Sequence, residues 1–245
     1  MLNVISVKWG VKYPSSMVNR LFTMVDRNLT VPFTFYCYTD DPEGLDPRIQ
    51  VIDIPEDNEL EIYWNKLALH KPGMFTGTCL FFDLDVVIQN NIDHLLGYLS
   101  DKLTMVNSYW KGESFITDGS SKKPNHRWDM YANSSIMLWE AGKTENIWKE
   151  FDSNPDYYMI QYNGIDRFIF WNFSVDYFPE GHVYSRMCGY SLTNNNYKVL
   201  YKNQKKTVIL DWDEFNLYYV PEASVCLFNG PTEDWMYDDF KHYWE

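Results

Sequence analysis

The sequence predicts an α/β fold: one domain with a mostly parallel central sheet flanked by helices. Three observations carry this. Apolar patterning alternates between strand and helix periods along the first two-thirds of the chain. The run Cys79–Phe82 is almost wholly apolar, as in a central strand covered on both faces. No linker and no internal repeat divides the 245 residues, so 1–245 reads as a single domain.

The elements follow in order. Residues 3–9 read as the first strand. Pro14-Ser15-Ser16 opens a helix, and Val18, Leu21, Phe22, Val25 and Leu29 continue it at helical spacing. Phe33, Phe35 and Cys37 alternate, giving a second strand that ends at Thr39-Asp40-Asp41-Pro42. Residues 49–54 form a short third strand. Trp64, Leu67, Ala68 and Lys71 mark a helix stopped by Pro72-Gly73, and the central strand follows at 79–82. A helix over Ile92–Leu99, strands at 103–106 and 134–139, and a helix at 144–151 continue the pattern. Two stretches interrupt it. Residues 107–133 are long and polar and carry Trp110, Trp128 and Tyr131. Residues 191–207 carry Asn194-Asn195-Asn196 and the lysines Lys202, Lys205 and Lys206, which read as a solvated face. In a sheet of this kind ligands bind beyond the carboxyl ends of the strands.

Composition narrows the function. Lys and Arg total 21 against 34 Asp and Glu, a net charge of −13. That argues against a general nucleic-acid binder, which needs a basic face, and against docking on an anionic membrane surface. An acidic protein that handles a phosphorylated ligand usually brings in a divalent cation to screen it. Aromatic residues reach 18%, which suits both sugar contact and a heavy aromatic core. No apolar stretch approaches the roughly 18 residues of a membrane span. Met1-Leu2-Asn3 runs straight into the first strand with no signal-peptide pattern, so the expected compartment is the cytoplasm, a host's cytoplasm for a viral chain. Cys37, Cys79, Cys188 and Cys226 lie far apart with no CxxC and read as buried thiols in a reducing compartment. The sequons at Asn28, Asn133 and Asn172 then go unused.

The chemistry concentrates in Asp83-Leu84-Asp85, which follows four apolar residues and precedes Val86-Val87-Ile88. In extended chain, side chains at i and i+2 share a face, so both carboxylates can converge on one hard cation while Leu84 enters the core. Two like charges at a buried strand end are costly unless a cation or hydrogen bonds offset them. The plainer reading is capping of an exposed strand end. Oxygen-only ligands suit Mg²⁺ or Mn²⁺ and not zinc.

Phe81-Phe82-Asp83-Leu84-Asp85-Val86-Val87-Ile88, followed by Ile92-Asp93-His94-Leu95-Leu96, resembles the D-x-D core of nucleotide-sugar glycosyltransferases of the GT-A fold. The nearest likeness is to the glycogenin-like, galactosyltransferase-like family with its bacterial and viral relatives. Trp9 through Tyr13, Val18-Asn19-Arg20-Leu21, Phe35 through Asp41, Trp64-Asn65-Lys66-Leu67, Asn133-Ser134-Ser135-Ile136-Met137, and Phe228-Asn229-Gly230 with Trp235 agree in order. Together they cover roughly residues 3–190 and 223–236.

The resemblance implies a metal-dependent hexosyltransferase with a GT-A-type, Rossmann-like domain. Its donor would be a nucleotide sugar, UDP-linked, and its acceptor a saccharide or other hydroxyl. Transfer would be retaining, by front-face displacement, since no transferable nucleophile is visible. Asp83 and Asp85 would hold Mn²⁺ or Mg²⁺. Val7, Trp9 and Tyr13 would border the base, with Trp9 as core and Tyr13 as a turn residue the plainer alternatives. Lys66 would approach the donor phosphate or sugar, or else be a solvated helix lysine. Asn133 would hydrogen-bond the donor sugar. Three positions depart from the family pattern. Asn229 stands where the family has a histidine metal ligand; an amide oxygen in that place is a weaker third ligand. Glu233 stands in place of a lysine. Gly164-Ile165-Asp166 replaces G-D-Q, leaving Asp166 as the candidate catalytic carboxylate beside Asn133. Two other readings remain. One is a catalytically impaired protein of the same fold that binds carbohydrate or nucleotide. The other is a nucleotidyltransferase, disfavoured because residues 7–16 contain only Gly10 rather than a glycine-rich phosphate loop.

Overall fold

The structure, a computed structural model, describes residues 1–60, 62–108, 131–162, 164–179, 181–186, 219–228 and 234–244. The chain opens with β1 (Leu2–Lys8), α1 (Ser15–Asn28), β2 (Phe33–Thr39) and β3 (Gln50–Asp53). A 3₁₀ segment, Ile62–His70, leads to β4 (Thr78–Phe82) and the short β5 (Val86–Ile88). After a second 3₁₀ segment, Asp93–Tyr98, come β6 (Thr104–Asn107), β7 (Ala132–Glu140), α2 (Glu145–Asp152), α3 (Pro155–Gln161) and α4 (Ile165–Asn172). The strands β8 (Asp176–Tyr177), β9 (Val183–Ser185) and β10 (Val225–Leu227) and a C-terminal 3₁₀ segment, Asp234–Tyr243, complete it.

The main sheet has seven strands in the order β3-β2-β1-β4-β7-β6-β8. β1 pairs in parallel with β2 and β4, placing Val4 between Phe35 and Leu80. β7 is antiparallel to both neighbours, so it alone runs against the other strands of this sheet. A second sheet, β5-β10-β9, lies beyond the D-x-D turn.

The apolar run of β4 is explained by two cores. Leu80 and Phe82 enter one, with Val4, Ile136 and the apolar stripe of α1 (Val18, Leu21, Phe22, Val25). Cys79 and Phe81 enter the other, with Ile5, Met137, Trp139 and residues of α2 and α4. Side chains alternate faces along a strand, so a strand covered on both faces carries no polar alternation. In the second core the Trp64 ring stacks on Phe151 at 5.3 Å.

Several boundaries differ from those expected. The segment around Trp64 is 3₁₀ rather than α-helical. Trp64, Leu67 and His70 are all buried, and their i, i+3, i+6 spacing eclipses on one face of a three-residue turn. The segment after Ile92 is likewise 3₁₀. Pairing of Asn107 with Ala132 extends the β6–β7 ladder and shortens the excursion expected over 107–133. Trp110, Trp128, the 191–207 stretch, Cys188, Asn229 and Glu233 lie outside the described residues. Cys37, Cys79 and Cys226 are buried free thiols, as expected. Among the described residues no helix is long and apolar enough to cross a membrane.

Candidate functional site

The D-x-D segment leaves β4 and turns at once. The Asp83 amide donates to the Ser135 carbonyl of β7 at 2.9 Å, and the Phe228 amide donates to the Asp85 carbonyl at 3.3 Å. Leu84 is 4% exposed and packed in the first core. Thus Leu84 enters the core as expected, but through a turn rather than a continuing extended chain. Both carboxylates still reach one cavity.

That cavity has a volume of about 520 Å³ and lies where β1 and β4 end. Val7, Trp9, Tyr13, Lys66, Asp83 and Asp85, all expected from the sequence, line it together. Lys12, Tyr63 and Leu84 complete the lining. The sequence marks Lys12 and Tyr63 only by adjacency, to Tyr13 in the strand–helix loop and to Trp64 in the 3₁₀ segment. Gly10 shapes the loop. Its φ is +63°, and its amide donates to both Asp40 carboxylate oxygens, at 3.1 and 3.0 Å.

Lys66 Nζ contacts Asp83 Oδ1 at 2.6 Å and donates to Ser134 Oγ at 3.3 Å. The Ser134 amide in turn donates to Asp166 Oδ1 at 3.0 Å. Opposite, the Tyr13 hydroxyl donates to Asp85 Oδ2 at 3.3 Å, and Lys12 Nζ lies 4.6 Å from the centre of the Tyr13 ring. Burial, then the Asp83 charge, pushes the Asp85 carboxyl up to about 6, while Lys66 and Lys12 oppose the shift. The Tyr13 hydroxyl is pushed upward by burial and then by Asp85 and Asp83. Burial, then Asp166, also raises Tyr63. Lys8, in the same strand, is buried and committed to Asp41, whose carboxylate it meets at 3.1 Å.

Asp166 and Asn133 do not line the cavity. Asp166, in the first turn of α4, holds the backbone of β7, and Asn133 Oδ1 accepts from the Ser135 amide at 3.0 Å. Asp166 connects to the cavity through Ser134 and Lys66, and its charge also acts on Tyr63. Ile165 is 2% exposed and belongs to the core.

The donor set fits a hard divalent cation. Asp83 and Asp85 supply oxygens only, and the cost of ionising Asp85 against Asp83 is what a cation would offset. Among the described residues no cluster of three His, Cys, Asp or Glu side chains could hold a metal. Asn229, expected as a third ligand, lies outside the described residues.

No protein-family model and no curated protein sequence matches the chain. Solved structures do. The galactosyltransferase LgtC, in complex with donor and acceptor sugar analogues, superposes with a TM-score of 0.57 at 14% identity. The match covers 96% of this chain and 90% of that one. An active-site mutant of LgtC gives 0.55 at 12% identity with the same coverage. The fold is of the GT-A type. At such identity the likeness establishes the architecture: an α/β domain with a mostly parallel seven-stranded sheet flanked by helices.

Proposed function

We propose that the chain is a glycosyltransferase that moves a hexose from a nucleotide sugar, UDP-linked, to a saccharide or other hydroxyl acceptor, with Mn²⁺ or Mg²⁺ on Asp83 and Asp85. One observation carries the reading. Both carboxylates, Lys66 and the Trp9 and Tyr13 rings converge on a single cavity at the carboxyl end of the sheet. The fold shared with LgtC supports it.

The chemistry follows from the lining. Trp9, Tyr13 and Val7 offer an apolar surface to a base. The cavity's own charges, Lys12 and Lys66 against Asp83 and Asp85, sum to zero. A nucleotide sugar adds a charge on each phosphate, which the cavity offsets only with a divalent cation. When bound, that cation stabilises charge developing on the departing nucleoside diphosphate. The sugar C1–O bond breaks with its electron pair leaving on the diphosphate. The acceptor oxygen forms the new bond on the same face and gives its proton to the departing diphosphate oxygen. Lys66 lies beside the carboxylates and adds positive charge near the leaving group. Asp166, through Ser134, positions Lys66.

The test is a donor-hydrolysis screen across nucleotide sugars with and without Mn²⁺. Cation-dependent release of sugar supports the reading. Cation-dependent nucleotide binding with no hydrolysis or transfer points instead to an impaired, binding-only protein, a version favoured by Ile165 lying in the core where a carboxylate would serve. No nucleotide binding under any condition rejects both.

A further inference from the structure

We propose that Lys12 is the cation that grips the diphosphate of the donor, and so separates nucleoside diphosphates from monophosphates and nucleosides. This rests on the nucleotide-sugar reading above and assigns a residue that neither the D-x-D motif nor the fold picks out.

Two lysines line the cavity. Lys66 is committed: it meets Asp83 at 2.6 Å and Ser134 at 3.3 Å. Lys8, close by in β1, is committed to Asp41. Lys12 is exposed and has no ion pair among the described residues. Its ammonium lies 4.6 Å from the centre of the Tyr13 ring, and the hydroxyl of that ring reaches Asp85. Lys12 therefore lines the same cavity as the carboxylate pair, with its ammonium against the Tyr13 ring and in no ion pair among the described residues.

The loop is fixed at both ends. Gly10 is pinned to Asp40 at a positive φ, and Pro14 leads directly into α1. A base packed against Trp9 would put its phosphates in the cavity that Lys12, Asp83 and Asp85 line together. A lysine suits this place. It is a compact, rotatable point charge that can follow phosphate oxygens, whereas an arginine fork demands fixed planar geometry. The ring contact restrains the side chain without consuming its charge.

The test uses the full chain with Mn²⁺ present. UDP, GDP, ADP, CDP and dTDP are titrated by calorimetry to find the nucleotide that binds. The matching monophosphate and nucleoside follow, each against wild type, Lys12→Ala, Lys12→Arg and Lys12→Glu. Lys12→Ala should weaken the diphosphate about 5- to 10-fold, the scale of one partly screened charge. It should leave the nucleoside unchanged. Lys12→Arg should recover most of the loss, and Lys12→Glu should exceed it. Wild-type diphosphate affinity should also fall more steeply with NaCl than that of Lys12→Ala. Thermal midpoints of the variants should match wild type, since the side chain is exposed. An unchanged ratio of diphosphate to nucleoside affinity in Lys12→Ala overturns the proposal alone. Failure of every diphosphate to bind wild type overturns the nucleotide-sugar reading and this assignment together.

Discussion

On one wall of the cavity Lys66 reaches Asp83 at 2.6 Å and Ser134 at 3.3 Å, and Asp166 holds the Ser134 amide at 3.0 Å. On the other, Lys12 lies 4.6 Å over the Tyr13 ring and Tyr13 meets Asp85 at 3.3 Å. The first wall neutralises its own charge. The second keeps a partly buried carboxylate whose only side-chain partner among the described residues is a phenol, and its acid is pushed up to about 6. A satisfied ion pair holds shape, because removing either member strands the other in poor solvation. A desolvated carboxylate with no ion pair is costly, and protonation, further hydrogen bonds or an added cation each relieve that cost; in the proposed function this second wall is where the ligand would sit. The contrast separates a supporting wall from a receiving one.

The contrast breaks most visibly at Asp85. Asp85→Ala should cut cation-dependent nucleotide binding by more than about 100-fold, the scale of losing one of two charged ligands. The fold should survive, since no ion pair is lost. Wild-type affinity in this variant would show that the receiving wall receives nothing.

Lys66→Met tests the supporting wall. It removes the charge that pairs with Asp83 and leaves Lys12 as the remaining cation in the cavity lining. Lys66 and Asp83 are only 11% and 21% exposed at the side chain, so the loss should be about 1–2 kcal/mol, less than for a fully buried pair. In a chain of this length that is roughly 2–8 °C in thermal midpoint. Lys12→Ala should change stability by less than about 0.5 kcal/mol. Equal losses in the two variants would erase the distinction between the walls.

Acidity gives a more specific effect. In the fold the Asp85 acid titrates at about 6, above its ordinary 3.8. Between those values the native state holds more protons than the unfolded chain, so stability falls as pH rises through this window. In cation-free buffer the wild type should lose about 2 kcal/mol between pH 4 and about 6.5, because of Asp85 alone. Asp85→Asn should not lose it. Urea midpoints of both proteins across this range isolate the effect, and parallel curves would mean that Asp85 is not desolvated.

The sequence-to-structure match is uneven in the same way. Asp83 and Asp85 were legible from their spacing after the apolar run of β4, whereas Val7, Trp9, Tyr13 and Lys66 came from the family resemblance alone; all six line the cavity. The turn at Leu84 was not legible, because it is held by Ser135 and Phe228, amides and carbonyls distant in sequence. The reversed direction of β7 leaves no trace in composition. The 3₁₀ form of Ile62–His70 was ambiguous, since buried residues three apart satisfy both helix types. Lys12 was hidden for another reason: one lysine in a loop looks like any solvated lysine until a ring and a cavity are placed beside it.

The smallest effect concerns Asn133, which the family likeness would place against the donor sugar. Asn133 lies in β7, but its side-chain oxygen is taken by the Ser135 amide two residues on, and the residue is absent from the cavity lining. A local side-chain-to-backbone bond of this kind contributes roughly 0.5–1.5 kcal/mol. Asn133→Ala should therefore cost stability on that scale and change nucleotide affinity by less than about twofold. It acts on the supporting wall at one remove, since Ser135 carries the Asp83 amide and Ser134 carries Lys66. A measured loss in donor-sugar turnover with unchanged nucleotide affinity would place the Asn133 amide nitrogen on the sugar instead, and would extend the receiving wall across β7.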